Sequence, residues 1–118
     1  MRFVNEADTK EIQADWWDED EKVVIKKLSY GDRQRLDAAA IGDLDANEAN
    51  KGKAKVRMDL YEMQIIKLLF GIHSWTFKDQ KGKDAPVSRE YIHALNEKDG
   101  NFIEAAIDAY NPQNEKKD

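Results

Sequence analysis

The chain has 118 residues, of which 41% are hydrophobic and 36% charged, and its formal net charge is −5. This length fits a single domain with one core, and the acidic balance argues against a sequence-independent nucleic-acid binder, which needs a basic face. The chain has no cysteine, which excludes disulfides and cysteine-ligated zinc.

The N-terminal third combines a weakly patterned segment with a strand-like one. Residues 1–15 mix isolated apolar side chains with charges, so we expect a loosely ordered arm. Trp16-Trp17 and the β-branched run 23–28 flank the acidic residues 18–21, a pattern that predicts a β-hairpin about a solvated turn. The absence of an early apolar segment, and of any apolar run of about 18 residues, predicts a cytosolic protein without a membrane span.

The next segment predicts a helix and then a polar loop. Ser29 with Asp32 three residues later indicates an N-cap and a helix starting near Tyr30. Residues 43–53 have low apolar content and predict a linker. Asp43, Asp45 and Asn47 have the opening spacing of an EF-hand. However, the positions that need glycine and glutamate hold other residues, so we predict no calcium site.

The densest apolar stretch predicts a central helix from Val56 to Ile72 that runs into a strand at Trp75 to Phe77. Its apolar residues fill more than one stripe, so the helix needs cover from its own chain, from a second copy or from another protein. The candidate partner-binding residues are Met58, Tyr61, Met63, Ile65 and Leu69. The alternative, that these side chains form the protein's own core, stays open.

The C-terminal third predicts a turn and two helices. A hairpin-like loop joins 75–78 to 85–87, with Gly82 at positive φ. Ser88 is expected to cap a helix reaching Leu95. After a break at 96–100, a last helix is expected over 101–110.

Catalytic chemistry finds no support in the sequence. His73 and His93 are the only histidines, and they do not have the spacing of two ligands on one helix. We therefore predict no catalytic residue, metal or cofactor. The expected fold is mainly α with a small N-terminal β-hairpin, a compact helical domain of three to five helices over 16–111. The arm 1–15 precedes it, and a polar disordered tail, 112–118, follows it.

Three stretches resemble the small tail assembly chaperones of long-tailed bacteriophages. These are the strand-to-helix segment 24–36 with its Leu-Ser-Tyr-Gly-Asp helix start, the apolar helix ending at Trp75, and the segment 79–95 with its Gly-Lys turn and Pro-Val-Ser-Arg helix start. The resemblance covers about residues 17 to 110.

The resemblance implies a non-enzymatic, mostly helical protein that binds the tape-measure protein in the host cytoplasm and is absent from the finished virion. Separately, the apolar surface of the central helix predicts self-association or binding of a helical partner. The acidic charge and the lack of a long apolar run predict no nucleic-acid or membrane partner, and no small-molecule substrate is expected. The alternative is a structural neck or tail-completion protein that stays in the virion. An enzyme is the last of the three hypotheses.

Overall fold

The computed structural model describes residues 2–41 and 60–112, which form four helices and one three-stranded antiparallel sheet. The described part of the chain is therefore mixed α/β, which corrects the expectation of a mainly α fold, whereas four helices lie within the predicted three to five. In chain order the elements are β1 (Thr9–Ile12), β2 (Val23–Lys26), α1 (Tyr30–Ile41), α2 (Leu60–Gly71), β3 (Ile72–Trp75), α3 (Arg89–Ala94) and α4 (Glu97–Tyr110).

The sheet has the order β1-β2-β3, so β2 is its central strand. Thr9 lies opposite Lys26 on one side of β2, and Trp75 lies opposite Val23 on the other. Val23 and Ile25 are fully buried and alternate with partly exposed neighbours, the pattern of a strand with one face on the core. A strand here was predicted from the β-branched run 23–28, as the second strand of the hairpin.

The first strand of that hairpin was predicted in the wrong place. It is Thr9–Ile12, within the segment expected to be a loose arm, and Ala14 just after it is buried. Trp16 and Trp17 instead lie in the connection to β2, because both indoles hydrogen-bond to α4. These long-range contacts outweigh the strand propensity of the aromatic pair.

The start of α1 agrees with its predicted cap. The Asp32 amide donates to Ser29 Oγ, and the Ser29 amide donates to Asp32 Oδ2, each at 3.1 Å. This reciprocal pair satisfies two backbone donors at the helix start. The predicted linker 43–53, the rejected calcium motif, Met58 and the first turn of the predicted central helix lie outside the described residues.

The central helix is described from Leu60, and it passes directly into β3. The predicted helix-to-strand transition is confirmed, although the strand begins at Ile72 and ends at Trp75. Ile72 starts the strand early because its side chain is buried in the core and it pairs with Ile25 of β2.

The C-terminal helices confirm one cap and correct one boundary. Ser88 Oγ accepts a hydrogen bond from the Tyr91 amide and caps α3 as predicted. The last helix begins at Glu97 and not at Asn101, because Asn96 Oδ1 caps it by accepting from the Asp99 amide at 2.8 Å. It ends at Tyr110, as the following Asn-Pro pair predicted. Residues 113–118 of the predicted disordered tail lie outside the described residues.

The core lies between the sheet and helices α2, α3 and α4, while α1 packs on α2. Its buried members are aliphatic, which suits close packing without buried polar groups. They are Val23, Ile25, Ile65, Leu68, Ile72, Ile92, Ile103 and Ile107.

Candidate partner-binding site

The four predicted partner-binding residues that the structure describes do not form one surface. Ile65 is only 6% exposed and belongs to the core, and Leu69 is half-buried against it. Met63 is half-buried and lines a groove among α1, α2 and α4. Tyr61 is 53% exposed, and its hydroxyl meets Nδ1 of His93 on α3. Of the predicted set that the structure describes, Tyr61 is the residue most available to a partner.

A second apolar surface, which we call the aromatic cleft, lies where β3 and the loop after it meet the α3–α4 junction. The cleft has a volume of about 330 Å³ and is open to solvent. Its apolar lining comes from the connection before β2, from β3 and its loop, and from α3. The principal apolar lining residues are Trp17, Trp75, Phe77, Tyr91, Ala94 and Leu95.

Three packed aromatic rings fix one wall of the aromatic cleft. The rings of Trp75 and Phe77 have centroids 5.2 Å apart, and Trp17 meets Phe77 edge-on at the same separation. Trp75 Nε1 donates to the Ala85 carbonyl at 2.6 Å, so its polar atom is satisfied while its ring remains apolar surface. The wall is therefore ordered before any partner binds.

Asp99 holds the tryptophan pair at the cleft. Its Oδ1 accepts hydrogen bonds from Nε1 of Trp16 at 2.6 Å and from Nε1 of Trp17 at 2.8 Å. Burial would raise the pKa of Asp99, but hydrogen bonds from Trp16, Trp17 and Asn96, with the charge of Lys98, lower this pKa below its usual value. Asp99 is consequently an anion at neutral pH.

The loop on the opposite side is an ordered turn. Asp79 Oδ1 accepts from the amides of Lys81 and Lys83 at 2.8 and 2.9 Å, and Gly82 has φ 80°. The positive φ was predicted, and it suits glycine because a β-carbon would be strained there. Lys78 and Asp84 form the isolated bridge below this turn, which gives the predicted hairpin-like loop.

Charged groups surround the apolar lining. Glu21, Asp79, Asp99 and Lys78 all line the aromatic cleft. The Lys78 ammonium is paired with the Asp84 carboxylate, and hydrogen bonding and charge from Asp84 raise the pKa of Lys78. Three carboxylates and one neutralised cation leave the cleft with an acidic rim.

The sequence reasoning used Trp75, Tyr91 and Leu95 to place elements and missed their shared surface. A signal was available, because bulky apolar residues lie on both sides of the Gly82 turn and such a turn brings its flanks together. The contribution of Trp17 could not be seen, since its partner Asp99 is far along the chain.

Within 2–41 and 60–112, no group of three or more His, Asp or Glu side chains is arranged to hold a metal ion. His73 is exposed, and its Nδ1 lies 3.4 Å from Ser74 Oγ, while His93 contacts Tyr61. What the cleft offers is an apolar surface with a negative rim, which suits side-chain recognition.

Comparison of the chain with protein-family models, curated proteins and solved structures finds no match. Across the described ranges, no helix has both the length and the apolar character needed to cross a membrane.

Proposed function

We propose that this protein is a tail assembly chaperone of a long-tailed bacteriophage and that it binds apolar helical segments of the tape-measure protein. The observation that carries the proposal is where the resembling segments lie. Trp75 and parts of the 79–95 segment, including Tyr91 and Leu95, line the aromatic cleft. Two of the three resembling stretches therefore contribute side chains to the candidate site, whereas the segment 24–36 does not line it.

The size of the cleft supports recognition of a few side chains rather than of a whole helix. Its volume of about 330 Å³ is near the lower end of the roughly 300–1,000 Å³ typical of ligand pockets. A helix lying across the opening would insert apolar anchors from one face, as helix-in-groove complexes do. Because the aromatic wall is already ordered, binding would require little rearrangement.

A small cleft gives weak binding for each site, so a chaperone of this kind would act in many copies along its partner. Repeated anchors on a long helix raise the effective local concentration for each further copy. Leu60 and Tyr61, 57% and 53% exposed, form an apolar corner at the start of α2. We propose that this corner serves contacts between neighbouring copies, which retains the prediction of self-association.

Co-expression tests the proposed function. The tape-measure protein of the same phage should be insoluble when expressed alone and soluble, with several bound copies of this protein, when the two are co-expressed. Binding should survive moderate salt, because apolar burial supplies most of the free energy. A tape-measure protein that stays insoluble and never co-purifies would refute the proposal.

Particle composition tests the alternative. A chaperone acts in the host cytoplasm and should be absent from purified virions. Its presence at stoichiometric amounts in purified particles would instead support a structural neck or tail-completion protein.

A further inference from the structure

We infer that the aromatic cleft selects apolar anchors that are flanked by lysine or arginine. This inference rests on the proposed function and specifies which tape-measure segments would be bound. It follows from the position of three carboxylates around an apolar lining.

The three rim carboxylates outnumber the two cations beside them, which are Lys78, paired with Asp84, and Lys98, whose charge acts on Asp99. Glu21, Asp79 and Asp99 line the cleft together with Lys78, whose ammonium is paired with Asp84 outside the lining set. A partner carrying acidic flanks would meet like charge on entering the cleft. A partner carrying basic flanks would meet complementary charge, which favours encounter and fixes its orientation.

The rim carboxylates are held in place before binding. Glu21 Oε1 accepts from the Asp18 amide at 2.9 Å, and Asp79 Oδ1 accepts from two loop amides. Asp99 is held by both indoles of the tryptophan pair. Glu21 and Asp79 can accept further hydrogen bonds from a cation, because a carboxylate has about four acceptor sites. Asp99 already accepts from Trp16, Trp17 and Asn96 and contributes mainly its charge.

Exposed ion pairs are individually weak, so the rim is expected to set selectivity and the aromatic lining to set affinity. For two peptides with the same apolar anchors, changing the flanks from lysine to glutamate should weaken binding about tenfold, which corresponds to about 1.4 kcal/mol. The ratio of the two peptide affinities should decrease as the salt concentration increases, because exposed charges are screened.

Calorimetric titration with three designed helical peptides tests the inference. The peptides share the same leucine and phenylalanine anchors and carry lysine, glutamine or glutamate at the flanking positions. At low salt the lysine peptide should bind most tightly and the glutamate peptide most weakly. Raising the salt to about 0.5 M should bring the three affinities close together.

A double variant that removes two of the rim charges tests whether the rim causes the preference for lysine. Glu21→Gln with Asp79→Asn removes two charges but keeps an oxygen where each backbone hydrogen bond is accepted. The preference for lysine over glutamate should fall to about twofold, because most of the rim charge is gone. Glu6→Gln with Asp37→Asn is the matched control, since it makes the same change in charge at exposed residues that line other grooves. Urea unfolding of both variants checks that they fold normally.

The outcomes separate the inference from the proposed function. Equal binding of all three peptides, or an unchanged preference in the rim variant, would overturn the inference while leaving an apolar-binding chaperone intact. Failure of every peptide to bind would contradict both. A peptide of the chain's own basic sequence Lys51–Met58 is a further competitor. If it bound more tightly than the lysine peptide, the chain itself would be the occupant, which would overturn the assignment to tape-measure segments and leave the preference for basic flanks intact.

Discussion

Gly71 and Ile107 lie so close together that a β-carbon built on the glycine would be 2.7 Å from Cδ1 of the isoleucine. Cγ2 and Cγ1 of the fully buried Ile107 would lie 2.8 and 3.0 Å from that β-carbon, so turning the end of the side chain alone would not relieve the contact. The end of α2 can therefore approach α4 only because residue 71 has no side chain. This contact places β3 and Trp75 beside the C-terminal helices.

Gly71→Ala should destabilise the protein by about 1 to 3 kcal/mol, the usual effect of overpacking, reduced by the better helix propensity of alanine. Gly100→Ala is the matched control, because a β-carbon at residue 100 would have no atom within 4 Å and this residue too is in a helix. That variant should be neutral or slightly more stable. Urea unfolding of both variants measures the difference, and equal stabilities would show that the close packing is relieved by backbone movement.

Asp99 should make stability depend on pH in the acidic range. Because the folded-state pKa of Asp99 is below its usual value of about 3.9, its stabilising contribution is complete above that value. The contribution is lost as the pH falls through the lowered folded pKa. Asp99→Asn should cost about 1 kcal/mol at neutral pH, because the indole hydrogen bonds lose their charged acceptor.

Unfolding curves for the wild-type protein and Asp99→Asn, recorded between pH 7 and pH 2, test this expectation. The difference in unfolding free energy should narrow as the pH falls below about 3.9. A constant difference across this range would mean that the carboxylate charge does not stabilise the tryptophan contacts.

Asn111 joins the end of α4 to the end of β2. Its Nδ2 donates to the carbonyls of Lys26 and Ile107 at 3.1 and 3.0 Å, and its Oδ1 accepts from the Leu28 amide at 2.7 Å. The residue is buried, so removing its amide leaves the Leu28 amide without this acceptor and the Lys26 carbonyl without this donor, whereas the Ile107 carbonyl still accepts from the backbone amide of residue 111. Asn111→Ala should therefore cost about 2 to 3 kcal/mol.

Asn101→Ala provides the comparison for this substitution, because Asn101 is an exposed asparagine within α4, the helix that Asn111 follows. It should change stability by less than about 0.5 kcal/mol. Chemical denaturation measures the free energy of unfolding of both variants. A similar small decrease in this free energy for both would indicate that water replaces the Asn111 hydrogen bonds.

The sequence predicted the features that depend on neighbouring residues. Ser29 and Ser88 cap helices, Gly82 has positive φ, and Asn111 follows the last helical residue, because each is determined within a few positions. The Asn96–Asp99 spacing also fits a helix cap. The cap was not predicted, because Gly100 was interpreted as part of a helix break.

Features that depend on distant partners were missed. Thr9–Ile12 becomes a strand only through pairing with β2, since its own residues show no strong alternation. Trp16 and Trp17 lie outside the sheet because Asp99 accepts hydrogen bonds from both indoles. The aromatic cleft combines three separate segments, so its location needed the fold. The central-helix residues Ile65 and Leu69 were correctly seen as apolar but lie in or against the core.

Filling the aromatic cleft tests the central claim most directly. Ala94 is exposed and lines the cleft, so Ala94→Trp should occupy it without removing any core contact. Ala105→Trp makes the same change at an exposed position of α4 that does not line the cleft, and unfolding curves establish that both variants are folded. The measurement is the calorimetric affinity of each variant for an apolar helical segment of the tape-measure protein. We predict that Ala94→Trp weakens binding at least about tenfold, or by about 1.4 kcal/mol, while Ala105→Trp binds like the wild type. A folded Ala94→Trp variant that binds as tightly as Ala105→Trp would contradict the assignment of the cleft as the partner-binding site.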